Sequence, residues 1–154
     1  MKHSAEYYIE HLEMEPHVEG GYFKECLLEK EERNLWSSIY FMLAKGEVSH
    51  FHRLKSDEVW YYHDGNALTI YMIDEAGKLT AAKLGLDLEK GEVPQVLVPK
   101  GMIFGSAMEE KGFSLVGCMV SPCFRYEEFE LFDRKDLLEK YPEHREMILR
   151  LTRE

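Results

Sequence analysis

Between Tyr22 and Val120 the chain falls into nine short runs rich in β-branched and aromatic residues, each closed by a turn signal. That rhythm points to an antiparallel sandwich or barrel. The runs are Tyr22–Leu27, Ser37–Leu43, Val48–Arg53, Asp57–His63, Ala67–Ile73, Leu79–Leu84, Val93–Val98, Met102–Ala107 and Phe113–Val120. Asp64-Gly65 reads as a two-residue hairpin, Glu75-Ala76-Gly77-Lys78 as a looser one, and Pro99-Lys100-Gly101 as a tight corner. Helical patterning is confined to the two ends. Ser4 can cap a short helix through Tyr8, Ile9 and Leu12 that Pro16 ends. Asp133 can cap Arg134–Lys140, and Pro142 can open Glu143–Leu151 with Met147, Ile148 and Leu151 on one face. These helices are expected to cover the outside of the barrel. With no linker, repeat or low-complexity tract, residues 1–154 are expected to form a single domain.

Composition removes several functional classes. Hydrophobic residues make up 45% of the chain, including nine Tyr, eight Phe and two Trp, which argues against disorder and supplies aromatic walls for a pocket. A formal charge of −10 repels phosphate backbones and anionic bilayers, so neither nucleic acid nor a membrane surface is an expected partner. No apolar run approaches the roughly 20 residues of a bilayer span. The opening residues Met1-Lys2-His3-Ser4-Ala5-Glu6 lack the apolar region of a signal peptide, which leads to an expectation of cytoplasmic location. Cys26, Cys118 and Cys123 are an odd count without a CxxC pair, as reduced thiols would be. Dinucleotide, P-loop, serine-hydrolase and zinc-ribbon motifs are all missing from the sequence.

The chemistry concentrates in Ser49-His50-Phe51-His52-Arg53-Leu54-Lys55-Ser56-Asp57-Glu58. On a regular strand His50 and His52 share one face, and Leu54-Lys55-Ser56 can turn the chain to bring Glu58 opposite them. Two imidazoles and a carboxylate suit a divalent metal with open positions, or a general base with its acid partner and no metal. A pair of half-exposed strands with solvated histidines is the third option. Trp60 and Tyr62 alternate with Glu58 and would form an apolar wall with a polar tip, while Ser49 and Gln95 offer neutral hydrogen bonds to a ligand. Glu19-Gly20-Gly21 reads as a turn serving chain geometry.

Gly46, His50, His52, Glu58 and Gly65 resemble the first motif of the cupin superfamily, with a shorter interval before the histidines and a longer one after His52 than is usual. Pro99-Lys100-Gly101-Met102-Ile103-Phe104 is similar to the second cupin motif, with Phe104 where a histidine ligand belongs. A narrower match is carried by Pro16-His17-Val18-Glu19-Gly20-Gly21-Tyr22-Phe23, by Ser49–Arg53 with Ser56–Trp60, by Pro94-Gln95 before Val98-Pro99, and by Leu115–Cys118. These resemble the cupin family labelled as a domain of unknown function, from which the chain departs at Val18, Tyr61, Ile103 and Cys123. The resemblance implies an all-β, RmlC-like jelly-roll barrel with short flanking helices, similar to dTDP-sugar epimerases and plant storage cupins, commonly as a homodimer. It implies no settled activity.

From residues and resemblance together, the expected site is a pocket inside the barrel around His52, Glu58, Trp60, Tyr62 and Gln95, with Ser49 polar and Phe104 filling the missing ligand's wall. The expected ligand is a small polar metabolite, sugar- or nucleotide-derived, and the chemistry a metal-free isomerisation or epimerisation with His52 as base. One alternative is a metal-dependent enzyme using His50, His52 and Glu58, in which a divalent metal is held weakly because Phe104 supplies no donor. The other is a binding or storage module without chemistry. On this reading His52→Asn abolishes function and leaves the fold intact.

Overall fold

The computed structural model describes residues 3–28 and 35–154. Ser4 has extended backbone, and its hydroxyl accepts a hydrogen bond from the Tyr7 N–H at 3.3 Å, which starts α1 (Ala5–His11). The helix stops well before Pro16. Glu13 takes a left-handed φ of 52°, and the chain turns into β1 (Glu15–Pro16).

The strands that follow are β2 (Tyr22–Leu28), β3 (Ser37–Ala44), β4 (Val48–Arg53), β5 (Asp57–Gly65), β6 (Leu68–Ile73) and β7 (Leu79–Leu84). Then come β8 (Glu92–Val93), β9 (Gln95–Val98), β10 (Ile103–Ala107), β11 (Phe113–Ser121) and β12 (Glu130–Leu131). They form two six-stranded sheets ordered β1-β2-β3-β11-β5-β9 and β12-β4-β10-β6-β7-β8. The strand rhythm points to a sandwich or barrel, and the arrangement is the jelly-roll barrel that the family resemblance implies.

Two turn readings change. Asp64-Gly65 does not close a hairpin, because β5 pairs with β11 and β9 whereas β6 pairs with β10 and β7 in the other sheet. Gly65 is required there for a different reason: at φ 91° its Cβ would lie 2.2 Å from the Phe113 carbonyl oxygen. The run Val93–Val98 is split by Pro94, which has no N–H to give a ladder. β8 pairs with β7 in one sheet, and β9 with β5 in the other.

Phe41, Trp60, Ile70, Phe104, Val116 and their neighbours fill the space between the sheets. Outside the barrel, α2 (Arg134–Lys140) and α3 (Arg145–Arg150) pack Leu137, Ile148 and Leu151 onto Phe51, Ile73 and Ile103. Pro142 opens a short 3-10 turn, so the last helix begins at Arg145 rather than at Glu143. The α1 segment covers Met42, Ala44 and Leu115 on another face. No helix among the described residues is long and apolar enough to cross a membrane.

Candidate functional site

A cavity of about 330 Å³ lies toward one end of the barrel interior. Its floor and sides carry His52 and Leu54 from β4 and its end, Glu58 from β5, and Cys118 and Val120 from β11. Glu15, His17, Glu19, Phe23 and Glu25 come from the N-terminal segment, and Phe124, Tyr126 and Phe129 from the segment after β11.

The position of His52 depends on an irregularity in β4. Opposite β10, His52 pairs with Phe104 and Ser49 with Ser106, so three steps along β4 match two along β10. That extra residue is a β-bulge, and it breaks the alternation of side chains. Ser49 and His52 both face inward, while Phe51 joins the outer cluster beneath the C-terminal helices. His50 therefore does not share the face of His52. Its backbone N–H and its Nδ1 both donate to the Glu19 carbonyl oxygen, at 2.8 and 2.7 Å, and its ring borders a separate surface pocket with Arg134 and Arg153.

Glu19 is the partner that sequence reasoning missed. The Gly20-Gly21 pair has φ values of 108° and 74°, and a Cβ at Gly20 would lie 2.0 Å from the Val48 carbonyl oxygen. Two glycines therefore let this loop press against β4 and carry the Glu19 carboxylate into the barrel. Glu19 Oε2 lies 2.8 Å from His52 Nε2, and both side chains are almost fully buried. At the other ring nitrogen, His52 Nδ1 sits 2.7 Å from the His50 carbonyl oxygen, which can only accept. Nδ1 must carry a hydrogen. With a carboxylate on Nε2 as well, the ring is an imidazolium facing an anion.

The electrostatics agree. Burial opposes charge on His52, but the charge and hydrogen bond of Glu19 outweigh it and raise the pKa above the ordinary histidine value. Burial also disfavours the Glu19 anion, and the His52 charge and hydrogen bond more than offset that, holding Glu19 low. His17 Nδ1 accepts the Glu19 N–H at 3.1 Å, and burial lowers its pKa, so its 3.8 Å approach to Glu19 Oε1 is a neutral contact. Glu58, 6% exposed, is pushed up to about 7, first by burial and then by the Glu19 charge. The Cys118 thiol beside it is raised too, chiefly by burial, and stays protonated.

Among the other residues expected at the site, Trp60 is buried against Phe41 and Phe104, and its indole N–H lies near enough to Glu58 to favour its charge without completing a hydrogen bond. Ser49 stands in the same relation to Glu19. Phe104 packs behind His52, tilted by 50° with ring centroids 4.1 Å apart, and Phe129 meets the same ring at 5.3 Å. Tyr62 points its hydroxyl to the Gly65 carbonyl oxygen at 2.7 Å, outside the cavity lining. Gln95 is exposed on the edge strand β9, also outside it.

A family model described as the cupin superfamily (DUF985) matches residues 6–132. The chain belongs to this family. A crystal structure of a Shewanella oneidensis protein is 56% identical, with a TM-score of 0.95 and 98% of each chain covered. A hypothetical protein from Leishmania major is 34% identical with a TM-score of 0.93, covering 99% of this chain and all of that one. Oxalate decarboxylase from Bacillus subtilis shares the fold at 17% identity and a TM-score of 0.59, over 88% of this cupin and 36% of its own chain. No curated protein matches the chain.

Manganese(II) centres are described for that decarboxylase. The residues of this DUF985 cupin do not fit such a centre. Both His52 nitrogens are engaged, His50 is turned away by the bulge, and Phe104 offers no donor at the position of the second-motif histidine. Among the described residues, no group of three or more His, Cys, Asp or Glu side chains is arranged to hold a metal ion.

Proposed function

We propose that the cavity binds a small metabolite and moves a proton on it without a metal, as an isomerase or epimerase does. The observation that carries this reading is the pair of buried carboxylates driven in opposite directions: Glu19 held low by His52, and Glu58 lifted to about 7. Titratable neighbours whose environments force them apart mark an acid–base assignment. In this reading Glu58 is the proton acceptor, since it exchanges a proton near neutral pH and is aimed into the cavity. His52 carries both ring protons and both are engaged, so its part is to present positive charge to an oxygen that becomes negative as the proton leaves carbon. Glu19 holds that imidazolium in place, and the rings of Phe104 and Phe129 limit its rotation.

The test is incorporation of solvent deuterium at carbon across a library of small metabolites, read by mass spectrometry on the protein and on Glu58→Gln. Label that appears with the native chain and vanishes with the folded variant supports the proposal. If ligands bind equally well to both and neither exchanges carbon-bound hydrogen, the cavity is a binding module without chemistry.

A further inference from the structure

We propose that the ligand of this cavity is a small organic cation, its ammonium group lodged between the Glu58 carboxylate and the rings of Phe124, Tyr126 and Phe129. This deepens the preceding section and rests on its reading of the cavity as a small-molecule site. Among the described residues that line the cavity there are four carboxylates, Glu15, Glu19, Glu25 and Glu58, and neither a lysine nor an arginine. A phosphate or carboxylate ligand would meet one cation, the His52 imidazolium, already paired with Glu19 at 2.8 Å. Among the described residues an anion therefore finds no free partner there, and a nucleotide is disfavoured.

The second observation is the shape of the aromatic wall. Phe124 and Tyr126 meet at 83° with centroids 4.9 Å apart, Tyr126 and Phe129 at 73° and 6.2 Å, and Phe124 and Phe129 at 64° and 6.1 Å. The three rings pack edge to face on one another along one wall of the cavity, and an aromatic wall of this kind attracts an ammonium group through its ring quadrupoles. Glu58 adds the counter-charge from inside, with Glu25 exposed and also in the lining. The cavity volume is at the low end of the range for ligand sites, roughly 300–1,000 Å³, so the cation is small.

The charge state of Glu58 makes the proposal sensitive to pH. The groups that face or flank it are Glu19, His52 and Cys118, with His17, Glu15 and Glu25 in the surrounding walls. A cation favours the ionised carboxylate, so its affinity should rise between pH 6 and pH 8 while that of a neutral ligand stays level.

Benzylammonium, benzyl alcohol and benzoate share one ring and differ in charge, which makes them suitable probes. Titration of the full chain by NMR at pH 8 should rank benzylammonium first by at least about tenfold over the alcohol, with benzoate last. Glu58→Gln should erase the preference for ammonium over alcohol. Tyr126→Ala, at a ring that is 58% exposed and so of little weight in folding, should weaken benzylammonium more than benzyl alcohol even if the first variant is unstable. Benzoate binding as well as benzylammonium, a ranking untouched by Tyr126→Ala, or no binding by any probe at millimolar concentration overturns the proposal. Carboxyl NMR of Glu58 separates it from the preceding reading. Benzoate preferred while Glu58 still titrates near 7 defeats the cation alone, whereas Glu58 titrating near 4.5 defeats proton transfer.

Discussion

Glu58→Gln should stabilise the protein at alkaline pH and leave it nearly unchanged in acid. A carboxyl group whose pKa rises from an ordinary 4.5 to about 7 on folding binds its proton more tightly in the folded state. Its contribution is fully present below pH 4.5 and is lost as pH rises through 7. At about 1.4 kcal/mol per pH unit, that displacement corresponds to about 3 kcal/mol lost between those limits. Glutamine has nearly the same shape and no charge to bury, so the variant escapes the loss. For a domain of this length, where 1 kcal/mol moves the melting temperature by roughly 2–4 °C, the gain at pH 8 is about 6–12 °C. Urea unfolding of both proteins at pH 5, 6, 7 and 8 measures the difference directly. The difference should be smallest at pH 5 and grow to about 3 kcal/mol at pH 8. Parallel curves would show that Glu58 ionises as an ordinary carboxylate, and the acid–base reading of the cavity would fall with them.

His52→Asn now carries a different expectation from the one drawn on sequence, where it left the fold intact. Removing the imidazolium leaves the buried Glu19 anion without its partner, a loss of about 3–5 kcal/mol at neutral pH by denaturant titration. Melting within two degrees of the native chain would contradict this. Phe104→His should not create a stoichiometric divalent-metal site, because His50 stays outside the barrel and His52 stays with Glu19; elemental analysis after dialysis against manganese or zinc checks it. Sedimentation at micromolar concentration is expected to give about twice the chain mass, since edge strand β9 leaves unpaired backbone groups beside an exposed Leu97 that a second copy can cover. A monomer at that concentration removes the proposed self-association.

Most of the fold is legible in the sequence because it rests on local signals: period-two patterning, capping by Ser4 and turn residues such as Gly77 place the strands and the end helices. The site is less legible because it depends on register and on a contact between distant segments. Nothing in His50-Phe51-His52 announces a bulge, which exists only in the pairing of Ser49 and His52 with Ser106 and Phe104. The available clue lay at Glu19-Gly20-Gly21, where a glycine pair without room for a Cβ presses the loop onto another backbone, and here the carboxylate beside it is carried inward. Both misread features trace to this one residue. The Glu19 carbonyl takes the His50 N–H and Nδ1–H and keeps that ring outside, while the Glu19 carboxylate takes His52 Nε2–H and keeps that ring charged within. The bulge separates two histidines that a regular strand would have placed side by side, and this loop holds each where the bulge puts it, so that a potential metal pair becomes an ion pair. That ion pair places a fixed negative charge beside Glu58, which, added to burial, lifts the second carboxylate into the range where it can exchange a proton at neutral pH.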